Sequence, residues 1–313
     1  MVVLKTERLG KTYRQGFWRK KVPVLHDLNL EVDRGEIFGY LGPNGAGKTT
    51  TIKILMGLVF PDTGEAQILG GHIHDPAIKS RVGFLPENPY FYDYLTGREL
   101  LDFYGRLFGL PRAVRQDRIA ELLRQVGMEG RADQPLRKFS KGMVQRIGLA
   151  QALLNDPELV ILDEPMSGLD PLGRHEVRDL ILRLKERGKT VFFSTHIIPD
   201  VELICDRVAI LIGGRLVRSG QLDDLLGSRI ESIDVVASGC PEGLRGEAGP
   251  LCIQPPADQG SRFVFTVKDE GTLASLLKLL VGSGARVHAV TPRKQSLEEH
   301  FIAQMGEGRE PRE

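Results

Sequence analysis

The chain has 313 residues, and its 42 basic and 41 acidic side chains leave a formal net charge of +1. So even a balance gives no electrostatic reason for bulk binding to nucleic acid or to an anionic bilayer. A content of 41% hydrophobic and 27% charged residues excludes intrinsic disorder as the general state. No apolar run approaches the roughly 18 residues that a membrane-spanning helix needs, and the longer ones, such as 208–212, are strand-sized and end at glycine. The first ten residues contain Lys5, Glu7 and Arg8 and no apolar stretch of the signal-peptide kind. Cys205, Cys240 and Cys252 are odd in number and lack CxxC spacing, which favours free thiols over a zinc site. The expectation is a cytoplasmic soluble protein.

In chain order, the first features are Lys11-Thr12-Tyr13 and a basic, aromatic stretch at 14–21, read as a solvated hairpin tip. Residues 36–41 form an apolar run of strand size, followed by Gly42-Pro43-Asn44-Gly45-Ala46-Gly47-Lys48-Thr49 and then Thr50-Thr51-Ile52-Lys53-Ile54-Leu55, which can be a helix. A strand, a GxxxxGK[ST] loop and a helix in that order predict a phosphate cradle. The glycines let successive backbone N–H groups turn inward, and the helix adds its unpaired N-terminal donors. Lys48 brings a compact charge to the β- and γ-phosphates, and the Thr49 hydroxyl suits Mg²⁺.

A strand at 81–85 leads into Pro86-Glu87-Asn88. Thr96-Gly97-Arg98-Glu99 is a capping box opening a helix with Leu100, Leu101, Tyr104, Leu107 and Phe108 at helical spacing. Pro111 ends that pattern, and a second helix carries Ile119, Leu122, Leu123 and Val126. Ser140, in Phe139-Ser140-Lys141-Gly142-Met143, reads as the N-cap of a third helix running to about Leu154. The apolar run 159–162 then ends in Asp163-Glu164, which places both carboxylates at the C-terminal edge of a sheet, where ligands of open α/β folds bind. Asp163 is the expected Mg²⁺ partner, and Glu164 can orient and deprotonate an attacking water.

These motifs, together with Ser167-Gly168-Leu169-Asp170 and His196 behind the strand 190–194, closely resemble the ATP-binding cassette (ABC) family over about residues 2–225. FSKGM in place of the commoner LSGGQ resembles the branch serving ABC-2 type exporters with separate permease subunits. The resemblance implies an α/β P-loop NTPase (RecA-like) core with an antiparallel β subdomain and an inserted helical subdomain at about 95–158. It implies an ATPase whose cofactors are ATP and Mg²⁺. The residues bound to nucleotide would be Tyr13 on adenine, Gly42, Pro43, Asn44, Gly45, Ala46, Gly47, Lys48, Thr49 and Thr50 on the phosphates, and Asp163. Ser140 and Gly142 would contact the γ-phosphate held by a second subunit, Asp170 would link the two sites, and Glu164 and His196 would be catalytic. Glu87 stands where the family usually has glutamine; it keeps an oxygen ligand, so Thr49, Glu87 and Asp163 form the expected metal set. The implied partners are a transmembrane permease and a second copy or paralogous ATPase subunit, at the cytoplasmic face of the membrane, with no nucleic acid. The alternative is a soluble ABC ATPase acting on ribosomes or DNA. The single cassette and the absence of a coiled-coil insertion count against it.

The cassette is expected to span 1–228. Residues 229–305 read as a small α+β appendage, expected to be ferredoxin-like, with strands near 230–237, 250–254, 261–268 and 285–290 and helices at 272–281 and 296–305. A charged tail, 306–313, is expected to fray.

Overall fold

The computed structural model describes residues 1–16, 20–226, 230–241 and 243–294, and the elements below are those of the described residues. Internal contacts divide the chain into two units, Met1–Leu222 and Asp223–Glu313.

The first unit opens with two long antiparallel strands, β1 (Val2–Gln15) and β2 (Lys20–Asp33). In β2, Leu28, Leu30 and Val32 are buried while Asn29 and Glu31 face out, the period-two pattern of a sheet wet on one side. After β3 (Ile37–Leu41) and α1 (Lys48–Leu55), β4 (Thr63–Ile68) and β5 (Gly71–His72) extend that sheet in the order β2-β1-β4-β5. Then come the short α2 (Pro76–Lys79) and β6 (Val82–Leu85).

Three helices follow, α3 (Gly97–Leu107), α4 (Arg112–Gln125) and α5 (Lys141–Ala152). The capping box on α3 is formed in both directions. Thr96 Oγ1 accepts from the Glu99 N–H at 3.2 Å, and the Thr96 N–H donates to Glu99 Oε2 at 2.9 Å. Such a cap is worth about 1 kcal/mol. Leu100, Leu101, Ile119, Leu122 and Ile147 are buried on the helices' inner faces.

The remaining elements of this unit are β7 (Leu159–Asp163), α6 (Pro171–Glu186), β8 (Thr190–Thr195), α7 (Ile198–Ile204), β9 (Arg207–Ile212) and β10 (Arg215–Gln221). The second sheet has the order β10-β9-β3-β8-β7-β6, parallel from β9 to β6 with β10 antiparallel at its edge. Every residue of β3, β7 and β8 is buried, which explains the apolar runs 37–41, 159–162 and 191–193 within them. An apolar cluster containing Leu4, Leu28, Ile52, Phe38 and Phe192 joins the two sheets around α1. Register aligns the strand ends, pairing Leu41 with Thr195, Asp163 with Ser194 and Leu85 with Leu162. The loops after β3, β6, β7 and β8 therefore leave from one edge.

The division between units falls within the short α8 (Leu222–Leu225). The second unit contains β11 (Ile230–Ser238), α9 (Leu244–Ala248), β12 (Ala257–Asp258), β13 (Arg262–Val267), α10 (Glu270–Gly282) and β14 (Arg286–Lys294). Its antiparallel sheet has the order β12-β13-β11-β14, a ferredoxin-like βαββαβ arrangement. Val235, Phe265, Leu276 and Leu280 are fully buried in its core. The strand expected at 250–254 is absent: Gly249–Leu251 is a 3-10 turn, and the next strand begins at Ala257. Pro250, Pro255 and Pro256 remove the ladder donors that a strand would need there. The expected helix at 296–305, the tail at 306–313 and the tip residues 17–19 lie outside the described residues. Among the described residues no helix is long and apolar enough to cross a membrane.

Candidate nucleotide site

The phosphate loop leaves the buried end of β3, where the Gly42 N–H donates to the Thr195 carbonyl at 3.2 Å. Gly45 and Gly47 have φ of 80° and 108°. At Gly47 a Cβ would meet Leu25 Cδ2 at 2.7 Å and the Val24 carbonyl at 3.0 Å, so both conformation and space require glycine. Gly47 is also the N-cap of α1, and the helix starts without a side-chain cap, which leaves its first N–H groups for an anion. The loop is braced from below: Thr51 Oγ1 donates to the Gly47 carbonyl at 3.1 Å and lies 3.1 Å from the Tyr40 hydroxyl. Lys48 folds back over the loop, its Nζ donating to the Gly42 carbonyl at 2.7 Å and the Pro43 carbonyl at 3.3 Å. Together, residues 43–50 with Val24, Glu87 and Glu164 line a cavity of about 370 Å³.

The acidic wall of this cavity depends on a residue that the sequence motifs do not mark. Ser194, opposite Asp163 in the β7–β8 register, donates from Oγ to Asp163 Oδ1 at 2.6 Å and accepts the Glu164 N–H at 3.0 Å. Burial pushes the Asp163 carboxyl above the usual carboxylate range. Hydrogen bonds from Ser194 and Thr49 oppose that shift, and the charges of Glu87 and Glu164 add to it. Glu164 has φ of 49°, a left-handed conformation that costs about 1–3 kcal/mol for a residue with a side chain. That turn brings Glu164 Oε2 within 3.0 Å of His196 Nδ1. The other oxygen, Oε1, is 3.1 Å from Lys48 Nζ, yet it is buried without a hydrogen bond because the ammonium is aimed at the loop carbonyls.

Gln145 is the second residue that the sequence motifs do not mark. It is buried on α5, and its amide donates to the carbonyls of Glu164 at 3.4 Å and Pro165 at 3.2 Å. A glutamine among apolar helix positions carries a cue, since buried amides need partners, but not the partner's identity.

Ser140, Gly142 and Asp170 lie elsewhere. Ser140 caps α5, with Oγ accepting the Met143 N–H at 3.3 Å. Asp170 caps α6, with Oδ1 accepting the Gly173 N–H at 2.8 Å. Residues 140–143 and 168–170 line a second cavity, of about 680 Å³. Tyr13 stands on β1 opposite Val22, with Lys11 Nζ 5.6 Å from its ring centre, and is not among the residues lining the phosphate cavity. The structure thus gathers Gly42 to Thr50, Glu87, Asp163, Glu164 and His196 at one sheet edge, and places Ser140, Gly142 and Asp170 around a separate opening.

A glycine-turned loop under a helix N-terminus, facing two carboxylates at the edge of a parallel sheet, defines a P-loop nucleotide-binding ATPase. A family profile described as ABC transporter matches residues 25–167. Over 97% of this chain and 85% of the relative, the sequence is 47% identical to an ABC transporter ATP-binding protein of Synechocystis, sll0415. It is 34% identical, over 97% and 94% of the two chains, to the Nod factor export ATP-binding protein I of Ralstonia nicotianae. The solved dimeric post-hydrolysis state of the ATP-binding cassette MJ0796, bound to ADP and Pi, superposes with a TM-score of 0.65 at 27% identity, covering 70% of this chain and 99% of that one. The chain belongs to the ABC transporter family and is its ATP-binding, ATP-hydrolysing subunit.

Proposed function

We propose that two copies of this cassette, or one copy and a paralogue, close head-to-tail around two ATP molecules and drive a separate membrane-spanning permease in the direction of export. One observation carries the dimer: the cavity around Ser140, Gly142 and Asp170 and the cavity around the phosphate loop share no residue. A chain that holds two incomplete halves completes them only by pairing with a second chain. The name of the Ralstonia relative supports export.

In this reading residues 42–50 cradle the phosphates of ATP, Lys48 moves its ammonium from loop carbonyls to phosphate oxygens, and Tyr13 contacts adenine. Thr49, Glu87 and Asp163 would hold Mg²⁺. All three offer hard oxygen donors, and a cation would offset both the burial that lifts Asp163's pKa and the smaller repulsion from Glu87 and Glu164. When bound, that cation neutralises phosphate charge. Glu164 orients the attacking water and takes its proton at a carboxylate oxygen, with His196 Nδ1 fixing the other oxygen. Ser140 and Gly142 of the second copy cover the γ-phosphate, and Asp170 links the two sites.

The subunit would act at the cytoplasmic face of the membrane. Tyr90, which is 96% exposed, and the exposed Tyr92 and Tyr94 give a surface suited to a permease's cytoplasmic segment, with Glu87 below them in sequence. The test is recovery from detergent-solubilised membranes with tagged Glu164→Gln protein and Mg-ATP. A polytopic membrane protein that is lost with Lys48→Ala bait is the expected result. Ribosomal or DNA-bound partners would favour the soluble alternative.

A further inference from the structure

Asp200 is buried, at 2% exposure, in the first turn of α7, four residues after His196. None of the nucleotide motifs includes it. It occupies the third helical position, from which an acidic side chain often reaches back to the N-cap N–H. Here the N-cap is Ile197, and its N–H is already taken by Thr195 Oγ1 at 3.0 Å. The carboxylate instead crosses to the neighbouring helix, where Arg178 Nη1 of α6 approaches its Oδ1 at 3.3 Å. Oδ2 is buried without a hydrogen-bond partner. Burial pushes the Asp200 carboxyl above the usual carboxylate range; Arg174 and Arg178 of α6 oppose that shift and the charge of Glu164 adds to it.

A carboxyl group kept half-satisfied in the interior is destabilising compared with an apolar residue of similar size, so a stability role does not account for it. Its location does offer a role. The helix α7 has only seven residues and no side-chain cap, too short to hold its own direction. The His196 ring just before it is 43% exposed, and its one close polar contact among the described residues is Glu164. The helix α6, by contrast, is sixteen residues long and starts at the Asp170 cap.

We infer that Asp200 is a positioning residue for hydrolysis: its carboxylate fastens the first turn of α7 to α6 and thereby holds His196 against Glu164. The link also connects the helix capped by Asp170 to the segment bearing His196, so a displacement of Asp170 reaches His196 through Arg178 and Asp200. The inference rests on Glu164 and His196 acting in hydrolysis.

The test is steady-state Mg-ATP hydrolysis by the full chain carrying Asp200→Asn, His196→Ala and both, with fluorescent-nucleotide binding and thermal melts in parallel. In Asp200→Asn, kcat is expected to fall about tenfold, as for a displaced catalytic group, with KM and nucleotide affinity within about twofold. The double variant should be no slower than His196→Ala, because both changes remove one function. Independent, multiplying losses, an unchanged kcat, or a KM that rises as kcat falls would each overturn the inference. Should Asp200→Asn fail to fold, Arg178→Gln with and without His196→Ala serves in the same cycle, and Arg178→Lys should restore part of the rate. If His196→Ala and Glu164→Gln themselves hydrolyse ATP at the parent rate, the functional assignment beneath the inference fails instead.

Discussion

The two cavities of the cassette are built on opposite principles. The phosphate loop is over-determined: it hangs from a fully buried strand, turns on two glycines in left-handed conformations, and is braced by Thr51, Tyr40 and Lys48. The Ser140 cavity rests on two helix caps, Ser140 at 3.3 Å and Asp170 at 2.8 Å, and Ser140, Lys141 and Gly142 are intermediate or exposed. A preorganised half can bind nucleotide alone; in the proposed dimer the open half is closed by the second chain. Changes in the first cavity should therefore alter binding, chemistry or folding within one chain, and changes in the second should alter nucleotide turnover only when two chains meet.

The largest expected effect is Glu164→Gln. Removing the carboxylate should reduce kcat by about 10²–10⁴-fold, the usual contribution of a positioned base, with ATP binding retained. Lys48→Ala should instead lose ATP affinity, since a charge-assisted phosphate contact is worth about 1.5–3 kcal/mol, roughly 10–150-fold. Turnover assays and equilibrium nucleotide binding separate the two. If Glu164→Gln hydrolysed ATP normally, Glu164 would have no part in the chemistry.

Next in size is Gly47→Ala. The added Cβ meets Leu25 and the Val24 carbonyl and sits at φ of 108°, so the loop must move. A loss of about 2 kcal/mol or more is expected, which in a unit of this size lowers the melting temperature by roughly 4–8 °C. The same change at Gly142 has milder neighbours, with Leu169 Cδ2 at 3.1 Å and no positive φ. Equal melting losses at the two glycines would erase the contrast in preorganisation.

Ser140→Ala should cost about 1 kcal/mol of stability through the lost cap, while monomeric nucleotide binding is unchanged. The sharper readout is complementation. Mixing a Ser140→Ala chain with a Lys48→Ala chain gives a pair with one composite site intact, so the mixture should hydrolyse ATP faster than either parent. Strict additivity of the two parent rates would count against the shared site.

The sequence told these cavities apart only in part. GxxxxGKT, with its strand and helix, and Asp163-Glu164 at the end of an apolar run were legible because a parallel strand leaves an uninterrupted hydrophobic signature. Ser194 was not, because its role comes from standing opposite Asp163, and the register between two strands joined through a helix is not written in either one. Gln145 was hidden in the same way, its partners lying 19 and 20 residues ahead in a turn. At 250–254 the apolar cluster Leu251-Cys252-Ile253 imitates a strand, and the surrounding prolines, which argue against one, were the better guide. The ferredoxin-like order of the second unit was anticipated from its alternation of strands and helices, not from any signal of which strands are neighbours.

Asp163→Asn is the smallest expected effect and the one that tests the phosphate cavity's design most directly. Burial holds the Asp163 carboxyl above its unfolded value. The protonated carboxyl thus favours the folded state, a contribution complete below the unfolded carboxylate range and lost as pH rises through the folded pKa. Asparagine does not titrate. The melting temperature of nucleotide-free Asp163→Asn, relative to the parent, should therefore climb as pH rises from about 4 and level off once the folded carboxyl is fully ionised. With saturating Mg-ATP the order should reverse, because only the carboxylate gains from a cation and bound ligand stabilises the parent by mass action. A difference that ignores pH would mean that Asp163 is already satisfied in the empty site. A reversal by Mg-ATP places its discomfort in the service of binding: the cavity keeps a charge under tension that the ligand, and not the fold, relieves.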